Sequence, residues 1–122
     1  MYAKHATGAR GEDLACSFLV QNGMKIITRN YRIRGGEIDI IAHDGRELVF
    51  VEVKARRSLR FGYPEESVTR AKMVRLCRAI RSYLSSRSAA EPYRFDVIAI
   101  EESSSGVPAI RHIKNCELPD RF

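Results

Sequence analysis

Residues 35–56, GGEIDIIAHDGRELVFVEVKAR, decide how this chain folds. Two apolar runs flank Asp44-Gly45, a dipeptide that favours a tight two-residue turn between antiparallel strands. The sequence therefore predicts strands over 37–43 and 47–54 joined as a hairpin. A turn at Asp44-Gly45 sets His43 against Arg46, Ile41 against Leu48, Asp39 against Phe50 and Glu37 against Glu52. Successive side chains alternate across a strand, so Ile38, Ile40, Ala42, Val49, Val51 and Val53 share one face, which reads as core. The other face carries Glu37, Asp39, Glu52 and Lys54 at the end away from the turn, with Ile41, Leu48 and Phe50 nearer to it. A slip of one residue would mix the two sets, so the separation fixes the pairing.

Working outward, residues 11–22 predict a helix closed by Gly23, and 25–33 predict a strand that turns at Arg34-Gly35-Gly36. Downstream, 58–66 read as a loop and 67–85 as a long helix capped by Ser67 or Thr69. Strands follow at 93–101 and 109–114. The order is α-β-β-β-α-β-β, which predicts an α/β domain with a mixed sheet and helices packed on it. One domain over 1–122 is expected, with a core of about 8–101 and a C-terminal linker plus short strand in 102–122.

Composition narrows the function. Of 122 residues, 44% are hydrophobic and 30% charged, and no stretch is apolar enough to span a bilayer. The first residues lack the apolar run of a secretory leader, so a cytoplasmic protein is expected. Cys16, Cys77 and Cys116 are widely spaced and odd in number, which fits reduced thiols better than disulfides or a zinc site. The formal charge is +6, and it is concentrated. Between Ala55 and Arg87 nine Lys or Arg stand against Glu65 and Glu66, leaving +7 in that segment. On a wheel of ~100° per residue, the long helix gathers Met73, Leu76, Cys77, Ile80, Tyr83 and Leu84 into one arc of about 120°. Arg70, Lys72, Arg75, Arg78 and Arg81 fall outside that arc. They form either a solvated helix face or a phosphate-binding one.

Carboxylates that face one another across a sheet repel. A cluster of Asp39, Glu52 and Lys54 makes chemical sense if a hard divalent cation, magnesium or manganese, sits among the oxygens and Lys54 points at its phosphate or water. The plain structural reading is an exposed sheet face with a compensating Glu52–Lys54 pair. Glu12, on the inward side of the first helix, either completes such a site or favours the helix N-terminus electrostatically. Phe61 and Tyr63 either stack on bases or pin their own loop. Asp96, interrupting a core strand, either pairs with an arginine or supports the site. His43, beside the turn, receives no role.

Asp39 followed by Glu52-Val53-Lys54 on the next strand resembles the D…(D/E)-X-K signature of the PD-(D/E)XK, or restriction-endonuclease-like, nucleases. More closely, Gly11-Glu12-Asp13-Leu14-Ala15, Gly36-Glu37-Ile38-Asp39, Val51-Glu52-Val53-Lys54-Ala55-Arg56 and Val68…Lys72…Leu76 are similar to the YraN-like family of small bacterial proteins within that superfamily. The resemblance runs from about Gly8 to Ile100; Ile38 stands where the superfamily's name has proline. It implies a restriction-endonuclease-like core and Mg2+ (or Mn2+) held by Asp39, Glu52 and the Val53 backbone carbonyl. Lys54 would orient the attacking water, Glu12 would match a first-helix acid of resolvase-like branches, and Glu37 would be an accessory acid. Arg56, Arg57, Arg60, Lys72 and Arg75 would hold a nucleic-acid backbone. The implied activity is hydrolysis of phosphodiester bonds in DNA, branched or otherwise structured, by a homodimer. The rival is a nucleic-acid-binding module that keeps the fold and cuts nothing unaided.

Overall fold

The hairpin turn sets the register of the sheet, and it falls one residue later than the Asp-Gly dipeptide predicts. In the computed structural model, which describes residues 3–56, 69–87, 90–102 and 105–119, β1 (Lys25–Ile33), β2 (Gly36–Asp44) and β3 (Glu47–Arg56) form an antiparallel meander. Asp44 pairs with Glu47, His43 with Leu48 and Ile41 with Phe50, so the two turn residues are Gly45 and Arg46. Gly45 takes a φ of +62° while Arg46 is not among the residues with positive φ. Glycine at the first central position of a two-residue turn is the type II′ pattern, not the expected type I′. Asp44 stays in the strand, where its carboxylate lies 3.0 Å from the Arg94 guanidinium. A tertiary ion pair thus outweighs the local turn preference.

A displacement of two residues preserves which face each residue takes but changes its partner. The expected Asp39–Phe50 and Glu37–Glu52 pairings do not form: Phe50 lies opposite Ile41, and Glu37 opposite Arg32 of β1. Continued one rung past Ile40–Val51, the observed register sets Asp39 across from Glu52.

The sheet order is β1-β2-β3-β4-β5. β4 (Tyr93–Glu101) runs parallel to β3, and β5 (Ala109–Cys116) antiparallel to β4. A parallel pair needs a crossover, and α2 (Arg70–Ser85) lies in it. Thr69 is its N-cap, accepting from the Lys72 amide at 3.2 Å. Ser67 and the 58–66 loop, with Arg57, Arg60, Phe61 and Tyr63, lie outside the described residues. α1 (Ala3–Gln21) begins well before residue 11, which leaves Glu12 in mid-helix. The idea that Glu12 serves the helix N-terminus therefore fails.

Both faces of the sheet are core. On the α1 side, Ile40, Ala42, Val49, Val51 and Ile98 pack with Ala15 and Leu19. On the α2 side, Ile41, Leu48, Phe50 and Phe95 pack with Leu76 and Ile80. The result is a mixed α/β structure, a five-stranded sheet with two helices. No helix among the described residues is long and apolar enough to cross a membrane.

One rung breaks the alternation. Ile38 joins Ile41 in the α2-side cluster rather than Ile40 on the other face, where strict alternation would put it. β1 does the same: Arg29 reaches Asp13 of α1, whereas Tyr31 contacts Ser82 at 3.1 Å and meets the Tyr83 ring edge-on, both on α2. Between Arg29 and Tyr31, Asn30 takes a φ of +54°, and the ladder has no pair at Asn30 and Asp39. Two neighbouring strands change face together. Beyond that rung α2 comes very close: a Cβ on Gly36 would stand 2.6 Å from the Arg75 carbonyl oxygen, so only glycine fits there.

Candidate functional site

The change of face releases Asp39 from the ladder. Its Oδ2 accepts the Val53 amide hydrogen, 2.8 Å from the nitrogen, and its carboxyl is in hydrogen-bonding contact with Glu52. The N–H and C=O of one strand residue point to the same side, so the Val53 carbonyl also faces Asp39. The Lys54 amine lies 3.4 Å from Glu52 Oε1, and its side chain is only 7% exposed. Glu12 enters from α1, whose close approach depends on Gly11: a Cβ there would stand 3.0 Å from the Ala55 Cβ. Lys72 enters from the first turn of α2. Glu12, Asp39, Glu52, Val53, Lys54 and Lys72 line one cavity of about 260 Å3 together with Ala55.

The charges inside are uncomfortable. Burial, then the Glu52 charge, pushes the Asp39 carboxyl up to about 7, against the opposing Val53 hydrogen bond. Glu12 is raised as well, by burial and then by Asp39, with the Asn30 side-chain hydrogen bond and Arg29 opposing. Lys54 is lowered by burial and by its contact with Lys72, with Glu52 opposing. In each case desolvation dominates and a like charge adds to it. The nearby cations, Lys54 and Lys72 in the cavity and Arg29 beside Glu12, do not offset the burial of Asp39 and Glu12.

Among the described residues, no group of three or more His, Cys, Asp or Glu side chains is placed to hold a metal ion by itself. What the cavity offers is two carboxylates in contact and a carbonyl, all hard oxygen donors. That set fits a cation such as magnesium, which keeps several waters and takes one or two protein carboxylates.

Glu37 stands apart from this set. It does not line the cavity; its carboxylate lies 3.5 Å from Arg32 Nε and 4.0 Å from Arg75 Nη2. Arg75 follows Lys72 by about one turn on the exposed side of α2. Arg56 ends β3, but its side chain lies outside the description, as do Arg57 and Arg60. The residue missed by sequence reasoning is Asn30. Its signal was present: a polar residue inside a predicted strand, of a type that tolerates the left-handed conformation.

Asp96 resolves toward the arginine alternative. Fully buried, it is bound by Arg94 (Nε to Oδ1, 3.0 Å), by the Asn115 amide (2.9 Å) and by His112 (2.7 Å), and it does not line the cavity. An ionised carboxylate only accepts, so His112 carries its hydrogen on Nε2. The ring is thus engaged by Asp96, and the free thiol of Cys116 donates to the Ile113 carbonyl. A larger hollow of about 640 Å3 runs beside Tyr93, Phe95 and Asn115. The Arg94 guanidinium on its wall is already bound by Asp44, Glu47 and Asp96, which leaves little chemistry there.

The family model described as uncharacterised protein family UPF0102 matches residues 11–100, a span that contains the whole cavity. A UPF0102 protein of Beutenbergia cavernae is 44% identical over 115 residues, covering 93% of this chain and 98% of its own. One of Geobacter sulfurreducens is 47% identical over 109 residues, covering 88% and 85%. One of Chlorobium limicola is 55% identical over 97 residues, covering 79% and 75%. With the matching model spanning most of its length and relatives this similar, the chain belongs to the UPF0102 family.

Proposed function

We propose that this chain is a magnesium- or manganese-dependent hydrolase of phosphodiester bonds in DNA, endonuclease-like and built on a restriction-endonuclease-like core. The observation that carries the reading is the contact between Asp39 and Glu52 beside the buried amine of Lys54, with the Asp39 carboxyl pushed to about 7. Two acids in contact destabilise a fold unless a cation joins them, and an amine buried beside them is poor surface design. A hairpin carrying the acids, a parallel neighbour after a helical crossover and a first-helix acid support the choice of core.

Asp39, Glu52 and the Val53 carbonyl would hold the metal. Bound there, it supplies Lewis-acid stabilisation of phosphate charge and a lowered pKa for water. The chain's own residues do the rest. The Val53 amide fixes the rotation of the Asp39 carboxylate. Lys54, its pKa lowered by burial and by Lys72, orients the water whose oxygen bonds to phosphorus as the bond to the leaving oxygen breaks. Lys72 sits at the exposed rim, where it meets a non-bridging phosphate oxygen. Glu12, held half-buried by Asn30, accepts the proton that the attacking water gives up, and the leaving oxygen takes a proton from solvent.

The test incubates the protein with supercoiled, single-stranded and four-way-junction DNA in magnesium, manganese or chelator. Cutting is expected with metal, absent with chelator, and reduced on the order of 10²-fold or more in Asp39→Ala and Lys54→Ala. Undiminished cutting by those variants, or none on any substrate, would refute the reading. Metal-independent, salt-sensitive binding without cutting would instead make the chain a binding module.

A further inference from the structure

Glu37 adjoins the cavity but faces away from it, toward two arginines. Its carboxylate is shared by Arg32 of β1 and Arg75 of α2, whose guanidiniums approach its two oxygens to 3.5 and 4.0 Å. Both arginines stay open to solvent, with side chains 69% and 49% exposed. The turn between β1 and β2 extends the group. A Cβ on Gly35 would stand 3.3 Å from Arg78 Nη1, so the Arg78 guanidinium lies against that turn, beside exposed Arg34. Lys72 joins this line to the cavity. Five cations against Glu37 leave a local charge of +4 along one ridge.

We infer that the ridge of Arg32, Arg34, Arg75 and Arg78 is a second phosphate-binding element, separate from the cavity, which carries the backbone of a nucleic-acid duplex away from Lys72 toward the β1–β2 turn. It rests on the nucleic-acid reading above but not on hydrolysis. Guanidiniums pair with phosphate oxygens in a fork geometry, and such contacts position a strand without reading its sequence. Single-strand binders add aromatic platforms for the bases. The large apolar side chains exposed among the described residues are Val20, Ile27, Tyr93 and Val107, none of them on the ridge. Among the described residues the ridge offers charge without a stacking platform, which suits a paired backbone. Glu37, on this view, is not an accessory acid of the metal site but spaces Arg32 and Arg75 and weakens their grip.

The experiment measures binding of full-length Asp39→Asn protein, which should not cut, to a short labelled DNA duplex and to one of its single strands across a salt series. In that background Arg32→Ala/Arg75→Ala is expected to weaken duplex binding at least tenfold at low salt. It should lower the slope of log K against log salt by about 2, near one per phosphate contact. Glu37→Gln is expected to tighten binding severalfold, an opposite sign that misfolding cannot produce. Lys114→Ala, on the distant β5 edge, should leave the slope unchanged. An unchanged slope in the double arginine variant, an equal fall in Lys114→Ala, or tighter binding of the single strand would overturn the inference. Cutting that is undiminished when Arg32→Ala/Arg75→Ala is made in the protein with Asp39 intact would leave the hydrolase reading standing and remove the ridge. Ridge-dependent binding with no cutting on any substrate would do the reverse.

Discussion

Two aspartates lie about one rung apart on either side of β3, and their environments pull in opposite directions. Asp96 pairs in the ladder with Val51; Asp39 stands across from Glu52, the next residue. Burial alone would raise both. At Asp96 that effect is overcome by hydrogen bonds from His112, Arg94 and the Asn115 amide, and the carboxyl is held below its usual range. At Asp39 one amide opposes burial and the neighbouring Glu52, and the carboxyl rises to about 7. No buried polar side-chain atom among the described residues lacks a hydrogen-bond partner, so Asp39 is satisfied as a donor–acceptor group and frustrated only as a charge. The sheet therefore contains one acid whose charge the fold compensates and one whose charge it leaves strained. Perturbed charge without compensation marks sites that act; compensated charge marks sites that hold.

The sharpest way to break this contrast is at the holding end. Asp96→Ala leaves Arg94 and His112 facing an emptied, buried position, and removing one partner of a buried ion pair costs about 3–5 kcal/mol. Thermal unfolding should fall by at least 10 °C on the scale of roughly 4 °C per kcal/mol for a chain of this size. Its depressed folded pKa makes the contribution present above about 3.9 and lost as pH falls through the folded value. The wild-type advantage over Asp96→Ala should thus shrink in acid. An equal gap at pH 3 and pH 7 would contradict it. Arg94→Lys tests the same network more gently. Lysine cannot reach Asp44, Glu47 and Asp96 at once with a planar fork, so a loss of about 2 kcal/mol is expected by chemical denaturation.

At the acting end the sign reverses. The folded pKa of Asp39 lies above its unfolded value, so its stabilising contribution is complete below about 3.9 and is lost as pH rises through about 7. Between pH 6 and pH 8 the metal-free protein should lose about 1.4 kcal/mol through this group, one pKa unit's worth of proton binding. Asp39→Asn removes the titration and should lose hydrolysis, and its melting-temperature advantage over the wild type should grow by about 5 °C between pH 6 and pH 8. Magnesium at ten times its dissociation constant should raise the wild-type midpoint by a similar amount and leave Asp39→Asn unmoved. A pH-independent difference between the two proteins would show that Asp39 is not the strained group.

The element order, the crossover helix and the company of Asp39, Glu52 and Lys54 were all legible in the sequence, because hydrophobic period and turn residues act locally. The turn position was not. Asp-Gly prefers to sit together in a bend, and only Arg94, distant in sequence, holds Asp44 in the strand. The same locality hid the fate of Glu37, read as facing Glu52 when its partners are Arg32 and Arg75. Glu12 was legible as inward-leaning, but the length of α1 was needed to remove its alternative role. Strict alternation also failed at Ile38, for a reason that one strand alone cannot show: the crossing of faces at the Asn30–Asp39 rung needs both strands.

That rung sets the smallest effect and the most specific. Asn30 carries a left-handed φ of +54°, which costs an ordinary side chain on the order of 1 kcal/mol and glycine almost nothing. Asn30→Ala should therefore destabilise by about 1 kcal/mol, whereas Asn30→Gly should unfold within about 0.5 kcal/mol of the wild type. Both lose the hydrogen bond that holds Glu12. If the rung's purpose is to aim that acid, Asn30→Gly keeps the fold and still loses activity. Glu12→Gln in the Asn30→Gly background should then lose less than it does alone, because interacting residues are not additive. Stability and activity falling in proportion across Ala and Gly would mean that the kink serves only the sheet. Stability that follows φ while activity follows the lost donor would place Asn30 with the acting aspartate and not with the holding one.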